Sequence, residues 1–134
     1  MNQARADRLG LTRAQANVWL AEQADPTGGR FAIGEVMEVH GRVDPALAEA
    51  ATRRLMRESE VGLVRFGEDR GQPYQVLDLD MAWPFPVVDL SGHDDPRAAV
   101  DAAVAEVMAE GFPLDGPEPL FAHRLFLAGD RTYW

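Results

Sequence analysis

The chain contains no cysteine and no lysine. Without thiols there is no disulfide framework, no thiolate nucleophile and no cysteine-ligated metal. Without lysine all 13 basic residues are arginine, and set against 22 acidic ones they leave a net charge of −9. The abundance of Ala, Arg, Gly and Asp reads as the coding bias of a GC-rich genome rather than as selection for a ligand. Binding a phosphate backbone needs a clustered cationic surface, and none is visible. Arg53, Arg54 and Arg57 lie beside Glu58 and Glu60, the pattern of a solvated helix face. Nucleic acid is therefore not expected as a partner. No apolar run approaches the roughly 20 residues of a membrane helix. Met1 to Gly10 is polar and charged where a signal peptide would be apolar. The expectation is a cytoplasmic protein without a membrane partner.

Within 134 residues, 46% of them hydrophobic and 26% charged, one domain with a real core is possible. Thr12 and Gln15 form a capping box that starts a first helix, with Leu11, Ala14, Val18 and Ala21 at helical spacing. Asp25-Pro26-Thr27-Gly28-Gly29 stops it. Phe31 to Val43 reads as a long strand with Phe31, Ile33, Met37 and Val39 on one face and Ala32, Gly34 and Val36 on the other. Asp44 and Pro45 open a second helix as N-cap and first helical residue, and Leu47, Ala51 and Leu55 are its expected buried stripe. The segments 62–66 and 72–77, around Glu68-Asp69-Arg70-Gly71, read as a hairpin. Pro84 and Pro86 lead into a short strand at Val87-Val88. Asp95-Pro96 opens a third helix, with Val100, Val104, Val107 and Met108 inward and Gly111 as its left-handed stop. Leu120 to Leu127 and Arg131 to Trp134 form a last hairpin whose second arm has only begun, so the chain reads as cut. The fold class is α/β (α+β), with non-local strand pairing.

Few residues are placed for chemistry. His40, His93 and His123 are in no metal-ligand spacing. They read as surface or hydrogen-bonded histidines, His40 ending a strand, His93 in a turn and His123 in mid-strand. Ser59 and Ser91 lie outside any nucleophile elbow, and Ser91 with His93 makes a poor start for a triad. Gly28-Gly29 follows a helix, the reverse of the order a phosphate loop requires. Asp94-Asp95 suits the start of a helix better than acid–base work. Glu35 interrupts an apolar strand and needs an arginine partner or an exit to water. Gln15 and Trp19, one turn apart, share a helix face. They read either as core and capping residues or as the border of a substrate passage.

The stretch Leu11 to Glu35, with Ala14, Gln15 and Trp19 as an A-Q-x-x-x-W core, Asp25-Pro26 as a turn and Phe31-Ala32-Ile33-Gly34-Glu35 as a strand start, resembles the opening of a nonribosomal peptide synthetase condensation domain. Val43-Asp44-Pro45-Ala46-Leu47 is similar to the start of that family's first long helix. The next stretch, 58–66, looks like its R-H-E-x-L-R-T-x-F segment or the E-x-E-x-L-R-x-R-F variant. It keeps Glu60, Arg65 and Phe66 but has Gly62 for leucine and Leu63 for arginine. That departure removes the family's central arginine and suggests a looser helix-to-strand junction. Pro86 to Ser91 resembles P-V-V-D-L-S. Gly111 to Leu114 resembles P-F-D-L, and Pro119-Leu120-Phe121 resembles P-L-F. The tail Gly129 to Trp134 is most similar to siderophore-synthetase condensation domains.

The resemblance implies a chloramphenicol-acetyltransferase-like fold, of which 1–134 is the N-terminal portion of the N-terminal lobe. It implies amide-bond formation between a carrier-bound acyl or peptidyl thioester and an aminoacyl acceptor, both on phosphopantetheine arms. The implied partners are upstream and downstream carrier proteins, an adenylation domain and the remainder of the condensation domain. No cofactor is expected to bind directly and no metal. The family signature H-H-x-x-x-D-G is absent, so no catalytic residue is expected within the chain and the chain alone is expected to be inactive. Gln15 and Trp19 are the candidate substrate-tunnel residues. A cyclization or epimerization domain of the same superfamily, or a non-catalytic carrier-docking module, are the alternatives.

Overall fold

The structure, a computed structural model, describes residues 8–24, 31–60 and 62–134; the expected turn at Asp25 to Gly29 lies outside the described residues. Elements follow in the order β1 (Leu9–Gly10), α1 (Arg13–Ala24), β2 (Glu38–His40), α2 (Pro45–Ser59), β3 (Val64–Asp69), β4 (Gln72–Leu77), β5 (Val87–Asp89), α3 (Pro96–Glu110), β6 (Leu125–Ala128) and β7 (Arg131–Tyr133). They build a three-stranded sheet, β1-β4-β3, and a four-stranded sheet, β2-β7-β6-β5. In the second sheet only β5 and β6 run parallel, and α3 is the crossover between them.

Local chemistry accounts for the helix ends. Thr12 N–H donates to Gln15 Oε1 at 2.8 Å and Gln15 N–H to Thr12 Oγ1 at 3.3 Å, a closed capping box. Asp44 Oδ1 accepts from Ala46 and Leu47 N–H at 2.9 and 3.2 Å, and Asp95 Oδ1 accepts from Ala98 N–H at 3.0 Å. Gly111 ends α3 at φ 68°. The β3–β4 hairpin turns at Arg70-Gly71, both at positive φ (52° and 78°), as a two-residue hairpin loop demands.

The four-stranded sheet carries a helix on each face. On one side Leu125 packs with Met56 of α2, Leu63, Met81, Trp83 and Phe85. On the other, Phe126 and Tyr133 pack with Leu90 and with Val100 of α3. Val100 is wholly buried.

Several sequence expectations are corrected. The strand expected over Phe31 to Val43 is confined to Glu38–His40. Ladder pairing exists only where β7 lies alongside, with one more exchange between Met37 and Trp134 (2.7 and 2.9 Å). Phe31, Ile33, Met37 and Val39 are exposed, and Val36 packs toward α3. Likewise β6 begins at Leu125 rather than Leu120, and the sequence gives no warning of β1, which pairs with β4 through Leu9 opposite Gln75 and Gly10 opposite Tyr74. In α2 the buried stripe is Ala48, Thr52 and Met56; Leu47 and Leu55 are 69% and 56% exposed. The apolar count favoured the leucines, but Thr52 tolerates burial because its hydroxyl donates to Ala48 C=O at 2.8 Å. Arg53, on the same side of α2, lies 4.3 Å over the Trp83 ring and donates to the Trp83 carbonyl at 3.2 Å.

The junction after α2 is tight, not loose. Glu60 caps the helix at φ 57°, its N–H donating to Met56 C=O. Gly62 follows at φ 80°, where an added Cβ would lie 3.0 Å from Met56 Cε and 3.1 Å from Phe121 Cδ1. Leu63, where the resemblance led to an expected arginine, is 2% exposed in the core, while Arg65 pairs with Asp78 at 2.7 Å. Gly62→Ala is expected to cost about 1–3 kcal/mol, against about 1 kcal/mol for Gly71→Ala, which has the same backbone sign but nothing within 4 Å. Urea unfolding of the two variants is the check, and equal losses would show that crowding at the junction is irrelevant.

Candidate functional site

A hollow of about 550 Å³ opens where the four-stranded sheet stops pairing. Segment 31–37 borders one side and segment 120–124 the other, with Val104 and Met108 of α3 beneath and Trp134 at the inner end. The segment 31–37 lies close on α3, since a Cβ at Gly34 would come within 3.2 Å of Met108 Sδ.

His123 projects into an aromatic cluster on the wall of this hollow. Its ring centroid is 5.5 Å from Trp83, 5.4 Å from Phe121 and 5.5 Å from Trp134, on which it stacks at 10°. His123 Nε2 and Trp134 Nε1 are both buried without a hydrogen-bond partner, a rare condition for interior polar atoms. Burial pushes the imidazole pKa below its ordinary 6.5, so the ring is neutral at pH 7. His123 is thus half-buried with its Nε2 unpartnered, and it precedes β6 rather than lying within a strand. The pair escaped the sequence reading because the two residues are distant in the chain. Only the β6–β7 register, Phe126 opposite Tyr133, brings Trp134 opposite Leu125, two residues from His123.

Gln15 and Trp19 are placed elsewhere. They line a separate hollow of about 270 Å³ with Leu11, Ala14, Val18 and Phe66. Gln15 is held by its capping box, and its Nε2 donates to Gln75 Oε1 at 2.9 Å, while Gln75 Nε2 reaches Gly10 C=O at 3.1 Å. The two glutamines tie α1 to the three-stranded sheet. Trp19 is 4% exposed, its ring 6.5 Å from Phe66. Val18 touches both hollows.

The remaining candidates are structural or exposed. Glu35 faces solvent. Asp89 Oδ1 accepts from Ser91 N–H at 2.9 Å, and the Ser91 hydroxyl and N–H hold that carboxyl below its ordinary range; the two close a turn after β5 and form no triad with His93. His40 is exposed, 3.6 Å from Glu38. Among the described residues no group of three or more His, Asp or Glu side chains could hold a metal, and no helix is long and apolar enough to cross a membrane.

A mixed four-stranded sheet with a helix on each face and an open end defines an α/β lobe, and comparison with known proteins places it. The condensation domain family matches residues 5–134. The dimodular nonribosomal peptide synthase of Bacillus subtilis is 37% identical over 95% of the chain, which spans 5% of that protein. Enterobactin synthase component F of Escherichia coli is 27% identical over 96% of the chain, here 10% of the relative's length. Among solved structures, the starter condensation domain of rhizomide synthetase RzmA superposes with a TM-score of 0.87 at 29% identity over 96% of this chain and 32% of that one. The first condensation domain of the CDA synthetase gives 0.86 at 33% identity over 96% and 34%. The chain belongs to the condensation domain family of nonribosomal peptide synthetases and has its fold. It spans about a third of the length of the condensation-domain structures it matches.

The depressed His123 pKa fixes a sign for pH dependence. The unfolded imidazole binds a proton near pH 6.5 and the folded one only at lower pH. The associated stability is therefore complete above pH 6.5 and lost as pH falls through the folded value. The thermal midpoint is expected to drop between pH 7 and pH 5, and His123→Phe to flatten that slope. An unchanged slope in a folded His123→Phe protein would assign the pH dependence to other groups.

Proposed function

We propose that the chain serves in amide-bond formation on a nonribosomal assembly line. The observation that carries this reading is the family match across 5–134 together with the fold shared with two condensation domains at about 30% identity. In the proposed reaction the amine of a carrier-tethered aminoacyl group attacks the thioester carbon of a second carrier-tethered acyl or peptidyl group. The C–N bond forms, the C–S bond breaks, and the amine's proton leaves with the phosphopantetheine thiol. Rate enhancement rests on holding two tethered reactants at high effective concentration. Carrier proteins on both sides, an adenylation domain and the remainder of the condensation domain are the partners of this reading, in the cytoplasm, and phosphopantetheine arrives on the carriers. A siderophore product is supported by the likeness to enterobactin synthase component F.

Within that reading Gln15 and Trp19 act by shape. Their hydrogen-bonding and apolar surfaces are committed to Gln75 and Phe66, so they would wall a substrate passage rather than touch a reacting atom. The 134 residues contain no H-H-x-x-x-D-G, and the chain alone is proposed to be inactive. Two assays with loaded carrier proteins test this. The chain by itself is expected to give no product above background. Residues 5–134 substituted for the matching third of an active condensation domain are expected to retain amide formation. A folded, inactive chimera, or turnover by the chain alone, would overturn the reading.

A further inference from the structure

The smaller hollow has the composition of a receptor for one apolar group. Ala14, Val18 and Trp19 present one face of α1 to it, with Leu11 just before the helix and Phe66 of β3 among the other walls. The one carboxamide in the lining, Gln15, is bonded to Thr12 at 2.8 Å and to Gln75 at 2.9 Å. A polar guest would therefore lose its water without gaining a partner. At about 270 Å³ the hollow falls below the roughly 300–1,000 Å³ that receives a whole small molecule and suits a single side chain.

Leu114 is its adjustable wall. Val18 and Leu114 are the two residues that border both hollows. Val18 is fixed within α1, whereas Leu114 is half-buried on segment 112–119, which lies outside helices and strands. Among the described residues, the one hydrogen bond from this segment to another element is the one Pro117 C=O accepts from the Arg65 guanidinium. Asp78, 2.7 Å from Arg65 Nε, orients that guanidinium. Pro113, Pro117 and Pro119 stiffen the segment, so a hold at Pro117 also fixes Leu114.

We propose that the smaller hollow is the subsite for an apolar side chain of the aminoacyl acceptor, that Leu114 sets the size of side chain admitted, and that Arg65 is a positioning residue acting on Leu114 through Pro117. The inference rests on the amide-forming reading above. An aminoacyl acceptor presents one side chain, which matches the hollow, whereas an acyl or peptidyl donor presents a longer chain. Discrimination against polar side chains comes from desolvation, and discrimination by size comes from the contact between the guest and Leu114.

The test is methyl NMR on the full chain, titrated with N-acetylcysteamine thioesters of leucine, phenylalanine and serine, and with the octanoyl thioester as a donor mimic. The leucyl compound is expected to shift the Ala14, Val18 and Leu114 methyls saturably, and the seryl compound to leave them in place. Leu114→Ala should move the phenylalanyl-to-leucyl affinity ratio up by about tenfold or more, and Leu114→Phe should move it down. Arg65→Ala should raise the ratio as Leu114→Ala does, and Arg65→Lys should restore it, a pattern that a loss of stability alone would not produce. Absent shifts, equal shifts with the seryl compound, or an unchanged ratio in folded Leu114 variants would overturn the proposal. Stronger shifts with the octanoyl compound would do the same by assigning the hollow to the donor. An active chimera without these shifts would sink the subsite alone; an inactive chimera with them would sink the reaction and leave a subsite for apolar amino acids.

Discussion

The structure depends on the strict alternation of side chains along β6 and β7. Leu125 goes to the α2 side and Phe126 to the α3 side; Tyr133 follows Phe126 and Trp134 follows Leu125. Two thin apolar layers are thereby fastened to one sheet, and neither holds enough buried residues to stand alone. A one-residue slip in this pair would exchange the two sets and empty both layers at once. The turn at Ala128-Gly129-Asp130, with Gly129 at φ 69°, sets that register. On its other side β7 is fixed against β2, where Thr132 donates to Gly41 C=O at 3.1 Å and Arg131 pairs with Glu38 at 2.6 Å.

Around this sheet polar contacts supplement the apolar packing of α1 and α2, while α3 is held by its apolar layer. α1 joins the smaller sheet through paired carboxamides, Gln15 to Gln75. α2 is drawn onto the larger one through Arg53 over Trp83 and through the crowded turn at Gly62. Leu63, where the sequence resemblance led to an expected arginine, fits this picture. A buried apolar side chain there contributes to the α2 core, whereas a cation at 2% exposure would need a partner. Arg65, the nearby arginine that remains, instead points outward to Asp78.

The sequence was most legible where chemistry acts locally. Helix starts at Thr12, Asp44 and Asp95, the Arg70-Gly71 turn and the Gly111 stop depend on neighbours a few residues away, and each is in place. Reading failed where a distant partner decides. Phe31 to Met37 has the alternation of a strand, yet a strand needs a neighbour, and most of that stretch has none in the structure. Leu47 and Leu55 look buried by composition, but the phase of α2 against Met81 and Trp83 selects Thr52 and Met56. His123 carries no signal at all in one dimension. Its stacking on Trp134 exists only through sheet register, so the candidate site was the least legible part.

The order of strands carries a consequence for how the chain becomes ordered. β7 is the last of the described elements to be synthesised, yet it occupies an interior place between β2 and β6. Those two strands share no hydrogen bonds and are separated by more than eighty residues of chain. Until β7 inserts, β2 and β6 cannot be joined, a long-range closure that is slow by topology and exposed to mispairing.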